Sequence, residues 1–487
     1  MLNDLQNILN IANGYLWGWP TIILLISVGI YLTIRLRALQ FTQLGASLKN
    51  AFSKNSRRKV TADGQLNHFQ ALMTALCATV GTGNIAGVAT AVALGGPGAI
   101  FWMWITGLLG MATKYTEACL GVHYRVARAD GSLSGGPMYY ILFGMKNRPL
   151  AVWFAFCLVL AALGIGCLVQ SNSLADAAQG TFGISPTLTG LIIAALVGAV
   201  VLGGIKRIGR VAETLVPAMI VLYVGASLYI LLTNAGQIPA LFGLIFESAF
   251  TGTAATGGFA GAGIKLVMQM GFSRGIFSNE SGVGSAPIAA ATAHTSHPSE
   301  QALIAMTQTF IDTLVVCTMT GLVILLSGEW AAERAGSIGA ALTSDAFAAG
   351  LPLEILGYNL GALIVTVSLF FFTFTTLLGW SFYGQKGMSF LLGDTAVVPY
   401  RIVFVGFAFL GAWLLGAAES TKQAVVFVWS IAEFTTAMMI FPNLIALVWL
   451  TPKVVALTED YFARKTARAS GKVGKDAEFK VKPFWEV

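Results

Sequence analysis

The sequence predicts an all-α polytopic membrane protein of about eleven transmembrane helices: a five-plus-five inverted repeat with one extra N-terminal helix. Three observations predict it. Of 487 residues, 56% are hydrophobic and only 10% charged, with a mean hydropathy of +0.75. A soluble domain carries about 25% charged residues. Apolar runs long enough to span a bilayer recur from end to end. Two of those runs are interrupted, at Gly81 and Gly83 within 69–93 and along Gly271–Gly282 within 254–292. A helix in lipid satisfies its own backbone, so an interruption is tolerated only where it lines a buried or wet cavity.

Taken in order, the runs are 17–34, 69–93, 98–122, 150–172, 186–204, 211–232, 254–292, 302–327, 356–384, 399–417 and 423–451. The first lacks a basic n-region and a small-residue cleavage site, so it reads as a retained helix, not a removable signal. The loop after it holds Arg35, Arg37, Lys49, Lys54, Arg57, Arg58 and Lys59, which places it in the cytoplasm. Alternation then puts Arg125, Arg128, Lys146 and Arg148 inside, followed by Lys206, Arg207 and Arg210, then Lys386 and Arg401, then the tail from Lys453. The expected outer loops, 234–252 and 417–423, carry Lys422 as their one basic residue. The prediction is a multi-pass protein of a plasma (inner) membrane, N-terminus outside and C-terminus cytoplasmic.

Without the first helix, ten spans remain and split five and five. Each half then opens on an interrupted span, and an odd number of spans per half forces inversion. Paired interruptions in corresponding positions point to a solute site at mid-membrane. The expected divisions are 1–68 (N-terminal helix and basic loop), 69–232 (first repeat), 233–253 (extracellular linker), 254–451 (second repeat) and 452–487 (polar, basic tail).

The net charge of +7 sits in short loops beside apolar runs, so it marks orientation and no nucleic-acid partner is expected. The five cysteines, Cys77, Cys119, Cys157, Cys167 and Cys317, lie inside apolar runs without ligand spacing. Neither a disulfide framework nor a zinc site is expected, nor any organic cofactor. His294-x-x-His297 falls in a polar loop without a carboxylate pattern. Gly81-x-Gly83-x-x-Ala86 matches a loose dinucleotide fingerprint but lacks the strand that motif requires.

In the first interruption, Gly81 and Gly83 let backbone approach a ligand. The half-helix beginning near Asn84 offers N–H groups and a positive dipole end to a carboxylate. Carbonyls freed near Cys77, Thr79 and Val80 suit a cation. The alternative is close helix packing through small residues. In the second, the run 275–282 contains Gly275, Phe277, Asn279 and Glu280; an ionisable group at depth reads as functional or bracing. An inner-face turn is the alternative. Gln170 and Asn172 end the fourth run and either meet substrate or bond between helices. Thr373, Thr375 and Thr376 lie among phenylalanines, as hard oxygen ligands or as hydroxyls bonded to their own helix. Trp380, about one turn on, walls the same pocket or simply packs. Lys114 and Glu117 can pair across one turn, with Glu117 bracing the broken helices. Asp312 is alone in its apolar run.

Residues 79–87 (TVGTGNIAG), 95–99 (GGPGA), 134–140 (SGGPMYY), 277–280 (FSNE) and 284–287 (GSAP) resemble the alanine-or-glycine:cation symporter family, and the likeness covers almost the whole chain. The resemblance implies a leucine-transporter-type fold and sodium-driven uptake of small neutral amino acids. The wider superfamily has a Gly-x-x-Val-Gly-x-Gly-Asn pattern, in which Cys77 replaces the leading glycine here. That costs little, because the carbonyl alone is used. By the same resemblance, the Thr82 and Gly83 amides would hold the substrate carboxylate. Carbonyls of Cys77 and Val80, with hydroxyls of Thr375 and Thr376, would hold sodium. The rival is a proton-coupled amino-acid transporter using Glu117, Glu280 or Asp312. No convergent acid, base or nucleophile set supports an enzyme, and single-helix breaks without a filter loop argue against a channel.

Overall fold

The structure is a computed structural model that describes residues 2–58, 60, 65–128, 131–251, 263–331, 338–355, 357–416 and 421–470. The opening of the expected second repeat, 254–262, and the tail 471–487 lie outside the described residues.

The chain opens with α1 (Leu2–Leu16) and α2 (Trp19–Arg35), then the short α3 (Leu39–Thr42) and α4 (Leu44–Ala51). The first half contains α5 (His68–Thr79), α6 (Val88–Gly95), α7 (Ala99–His123), the hairpin β1 (Val126–Ala127) and β2 (Leu133–Ser134), and α8 (Pro137–Gly144). It continues through α9 (Arg148–Leu163), α10 (Val169–Phe182), α11 (Pro186–Val201), α12 (Gly204–Thr233) and α13 (Ile238–Thr251). The second half contains α14 (Ile264–Asn279), α15 (Ala286–Ala290), α16 (Pro298–Thr309), α17 (Thr318–Ser327) and α18 (Ala340–Gly350). A hairpin of β3 (Glu354–Ile355) and β4 (Tyr358–Asn359) leads into α19 (Leu360–Leu392), α20 (Val397–Gly416) and α21 (Thr421–Ala469).

Local chemistry sets many of these ends. Asn67 and Gln70 close a capping box at the start of α5, and Asn147, Ser185 and Asn359 cap α9, α11 and α19. Proline opens α11 and α16, where its missing N–H costs nothing. Gly183 and Gly328 end α10 and α17 in the left-handed region.

Among the described residues, seven helices are long and apolar enough to cross a membrane, eight if the pair His68–Thr79 and Gly83–Gly95, bent by 52°, is one span. The other expected spans, 98–122, 186–204 and 254–292, correspond to α7, α11 and α14 with α15, which fall outside that test. The count of eleven is therefore an expectation of the sequence that length and apolarity alone do not reproduce.

Three boundaries differ from the sequence reading. The second interruption begins at Glu280, not Gly275, because α14 runs unbroken through Phe277 to Asn279. Gly275 packs instead: a Cβ there would lie 3.3 Å from the Met103 Cα and against the Thr106 hydroxyl. The small residue lets α7 approach α14. The linker holds α13, whose buried face includes Leu241 and Ile245. Helix α21 runs past the expected boundary at 451, to Ala469. Tyr115 of α7 meets Thr458 at 2.8 Å, which fixes that extension to the body.

Candidate substrate and cation site

The first break is built by one amide. Helix α5 ends at Thr79, and the Val80 N–H still donates to the Leu76 carbonyl at 2.8 Å. The next N–H, Gly81, donates to Asn84 Oδ1 at 2.9 Å rather than to the Cys77 carbonyl. The helical ladder therefore stops, and the chain resumes through a π turn, Gly83–Gly87, into α6. Asn84 Nδ2 donates to Asp312 Oδ1 at 2.8 Å, to the Asp312 carbonyl at 3.3 Å and to Cys317 Sγ at 3.3 Å. Asn84 was expected to orient substrate, but the protein uses both ends of its side chain.

Asp312 joins the two breaks. Its Oδ2 accepts from Ser278 Oγ at 2.9 Å and from Thr313 Oγ1 at 2.8 Å. It lies in a π turn, Phe310–Cys317, between α16 and α17. Close packing holds the same junction: a Cβ on Gly83 would lie 3.0 Å from the Ser278 Cα and 3.2 Å from the Phe277 ring. Phe277 thus stands against the first break.

The second break is a turn through Glu280, which is left-handed at φ 55°, to Ser285. Asn279 closes it, with Oδ1 accepting from the Ser281 N–H at 2.9 Å and Nδ2 donating to Thr313 Oγ1 at 3.1 Å. Asn279, like Asn84, is occupied within the protein. Glu280 Oε1 accepts from Trp380 Nε1 at 2.9 Å, and its Oε2 from Ser285 Oγ. Glu117 Oε1 accepts from the Gly282 N–H at 3.1 Å and from Asn443 Nδ2 at 2.6 Å. Lys114 does not pair with Glu117 as the spacing suggested. Its ammonium donates to the Glu280 carbonyl at 3.1 Å, and no ion pair joins the two among the described residues. That carbonyl also accepts from the Val283 N–H at 3.2 Å, so the ammonium is held on the turn rather than on the carboxylate one helical turn away.

Trp380 on α19 is thus a tie to the second break. Removing its donor in Trp380→Phe leaves Glu280 Oε1 short of a partner in a buried site, a loss of about 1–3 kcal/mol. The Trp380→Phe and Glu280→Gln losses in thermal stability should fall short of additivity by about 1–2 kcal/mol. Strictly additive losses would remove this tie.

Around Gly81 several polar atoms converge. Thr376 Oγ1 donates to the Val80 carbonyl at 3.4 Å and to the Phe372 carbonyl at 2.8 Å. A Cβ on Gly81 would lie 2.6 Å from that hydroxyl and 3.6 Å from Gln170 Oε1. Gln170 Nε2 donates to the Ile165 carbonyl at 3.2 Å, while Gln170 Oε1 and the Thr82 hydroxyl are buried without a partner. Thr375 is not brought to Val80: its hydroxyl donates to the Phe372 carbonyl at 3.0 Å and faces Met219 Sδ at 3.6 Å. Adjacent helical residues point about 100° apart, so one hydroxyl of the pair faces the break. Asn172 donates to the Gly411 carbonyl at 3.1 Å, the interhelical alternative.

Sequence reasoning missed Ser278, Thr313 and Asn443. Asn443, a buried amide deep in an apolar run, carried the signal that singled out Asn84. The two hydroxyls carried none, because serine and threonine are ordinary in membrane helices.

Comparisons with known proteins identify the family and the fold. The family model described as the sodium:alanine symporter family matches residues 2–475. The sodium/alanine symporter AgcS of Methanococcus maripaludis is 47% identical over 463 residues, covering 94% of this chain and 97% of its own. YflA, an uncharacterized transporter of Bacillus subtilis, is 40% identical over 450 residues, 92% of each chain. Among solved structures, MhsT in complex with L-phenylalanine superposes with a TM-score of 0.52 at 12% identity, over 80% of this chain and 97% of that one. A manganese transporter of Eremococcus coleocola gives 0.51 at 13% identity, over 87% and 93%. These two show the fold alone, the leucine-transporter type. By its sequence relatives and by its family match over nearly its whole length, the chain belongs to the sodium:alanine symporter family.

Proposed function

We propose that the chain imports alanine or glycine together with sodium, by alternating access across a plasma (inner) membrane, with its N-terminus outside and its C-terminus cytoplasmic. The observation that carries this reading is the meeting of the Val80 carbonyl, the Thr376 hydroxyl and the unpartnered Gln170 Oε1 around Gly81. Carbonyl and hydroxyl oxygens are hard ligands suited to sodium. In this reading Cys77, Val80 and Thr376 hold the ion, with Thr375 in support. The amides of Thr82 and Gly83 hold the carboxylate, and Gln170 Oε1 accepts from the ammonium. Asn84, Asn279, Glu117, Glu280 and Asp312 keep both breaks in shape. Phe277 and Trp380 wall the site.

One cation crossing about 100 mV supplies about 2.3 kcal/mol, and a tenfold sodium gradient adds about 1.4 kcal/mol. Together these support accumulation of roughly several hundredfold for one sodium per substrate. Labelled alanine uptake into proteoliposomes, with sodium or choline at fixed pH, tests the reading. Uptake should require sodium; uptake sustained in choline by a pH gradient would move the coupling to protons.

The two threonines should separate. Thr376→Val removes the hydroxyl at the Val80 carbonyl and should raise the sodium concentration for half-maximal uptake at least about tenfold, the worth of about 1.4 kcal/mol. Thr375→Val, whose hydroxyl faces Met219, should change it far less. Equal sodium dependence in wild type and Thr376→Val would place the ion elsewhere.

A further inference from the structure

Where the first apolar helical run ends, the chain makes a turn that residues with a side chain rarely adopt. That run, Gln6–Arg35, stops at Arg35. Arg37 and Ala38 follow at φ 56° and 53°, two consecutive non-glycine residues in the left-handed region, which is costly for a residue with a Cβ. Backbone bonds hold them there: the Arg37 N–H donates to the Ile34 carbonyl at 3.0 Å and the Ala38 N–H to the Thr33 carbonyl at 2.8 Å. In a continuing helix, side chains two apart would point about 200° apart. The turn instead sets Arg35 and Arg37 on one cavity of about 360 Å3, bounded also by Leu39 and Gln43 and, from α21, by Glu459 and Phe462.

The two arginines are weakly engaged within the protein. Arg37 Nη2 donates to Glu459 Oε1 at 3.2 Å, but both side chains are exposed, and water screens such a pair. Arg35 makes no hydrogen bond or ion pair among the described residues; its guanidinium lies 5.9 Å from the centre of the Tyr31 ring on its own helix. Apolar groups adjoin the charges. Leu36 and Leu39 of the turn are buried, whereas Ile34 and Phe41 on either side of it are 69% and 54% exposed. The turn therefore offers cations and hydrocarbon side by side. The opposite wall lies at a matching level. Helix α21 has 49 residues, far more than the roughly 20 that cross a bilayer, and Glu459 and Phe462 belong to its polar C-terminal part.

We propose that this cavity binds the headgroup of an anionic phospholipid, with the phosphate on Arg35 and Arg37 and the acyl chains along Ile34 and Phe41. Guanidinium forks match phosphate oxygens in both geometry and charge. On Arg37 the phosphate displaces Glu459 from a pair that water already weakens. A zwitterionic lipid gains less, because its own cation also faces the arginines. A soluble anion would use the arginines and leave the exposed apolar residues unmatched. The tail 471–487 is not the complement, since its four lysines outnumber its three acids. In the orientation proposed above, the site lies in the cytoplasmic leaflet, whose anionic headgroups attract basic segments next to a span. Bound there, the lipid joins α2 to α21, which is bonded in turn to α7 through Thr458 and Tyr115. The site does not depend on which solute or ion the chain carries.

The test is titration of labelled phosphatidylglycerol into the purified full chain in mixed micelles of neutral detergent and phosphatidylcholine. Wild type should bind it saturably, and neither excess phosphatidylcholine nor inorganic phosphate should displace it. Arg35→Gln and Arg37→Gln should each weaken binding about fivefold. Glu459→Gln removes the competing carboxylate and should tighten it. Arg58→Gln removes an exposed charge that does not line the cavity and should leave binding unchanged. Melting of each variant in phosphatidylcholine alone reports its folding, and Arg35, whose one contact of its charge is a ring on its own helix, guards against misfolding in Arg37→Gln. Wild type without saturable binding, or full binding in both Arg35→Gln and Arg37→Gln, overturns the site. Equal weakening by Arg58→Gln overturns it as well, in favour of diffuse surface attraction. Complete displacement by inorganic phosphate overturns the lipid, leaving a site for a free anion.

Discussion

Asp312→Leu should abolish uptake and cost the protein several kcal/mol of stability. One carboxylate holds three donors from three directions: Asn84 Nδ2 at 2.8 Å, Ser278 Oγ at 2.9 Å and Thr313 Oγ1 at 2.8 Å. All four residues are fully buried. Each donor left unsatisfied costs about 1–3 kcal/mol. Asn84 matters most among them, because its Oδ1 takes the Gly81 N–H that would otherwise continue α5. Losing Asp312 frees that amide, so the geometry of the first break should relax with it. Asp312→Asn keeps the shape and one acceptor oxygen, and should retain more stability than Asp312→Leu. The measurements are thermal unfolding of purified protein and alanine uptake normalised to membrane content. An Asp312→Leu variant with wild-type melting and uptake would falsify the junction.

The sequence made the two breaks visible because glycine and lone polar residues are conspicuous in apolar runs. Gly81 and Gly83 stand where α5 actually ends. The second break was legible only in outline. Gly271 and Gly275 look like interruptions, yet both lie within a continuous α14, where they admit the backbone of α7. Glycine serves close packing and chain reversal equally well, so its presence alone does not distinguish them. What marks the true break is Glu280 at φ 55°, a backbone state no composition reveals.

Partners of polar residues were less legible than their importance. Asn84, Asn279, Glu117, Glu280 and Asp312 were all singled out for being polar in apolar surroundings. Which of them meets substrate and which meets protein depends on contacts across more than a hundred positions, as from Asn84 to Asp312 or Glu117 to Asn443. The orientation of Thr375 against Thr376 is a case in point. Both are hydroxyls in the same run, and only the phase of α19 decides that Thr376 reaches Val80. Gln170 stands apart from the other amides, because its Oε1 is left buried without a partner beside Gly81.

Gly81→Ala should eliminate sodium-driven uptake while leaving the chain inserted and folded. The added methyl would sit 2.6 Å from Thr376 Oγ1 and 3.6 Å from Gln170 Oε1, in the space where the proposed ion and substrate meet. A separation of 2.6 Å is too short for carbon against oxygen, so something must move. Val80 and Gly81 hold the end of α5, and Thr376 is anchored to the Phe372 carbonyl at 2.8 Å. Overpacking of this kind costs typically about 1–3 kcal/mol, roughly a ten- to hundredfold loss at the site if it falls on ligand binding. A second change separates crowding from chemistry. Gly81→Ala with Thr376→Ala removes the crowding atom and should recover the melting temperature, but not sodium dependence, because the ligand oxygen is gone with it. Wild-type half-saturation for both sodium and alanine in Gly81→Ala would show that neither ligand lies beside residue 81. Recovery of sodium-dependent uptake in the double variant would show that Thr376 crowds the site without contributing an oxygen to it.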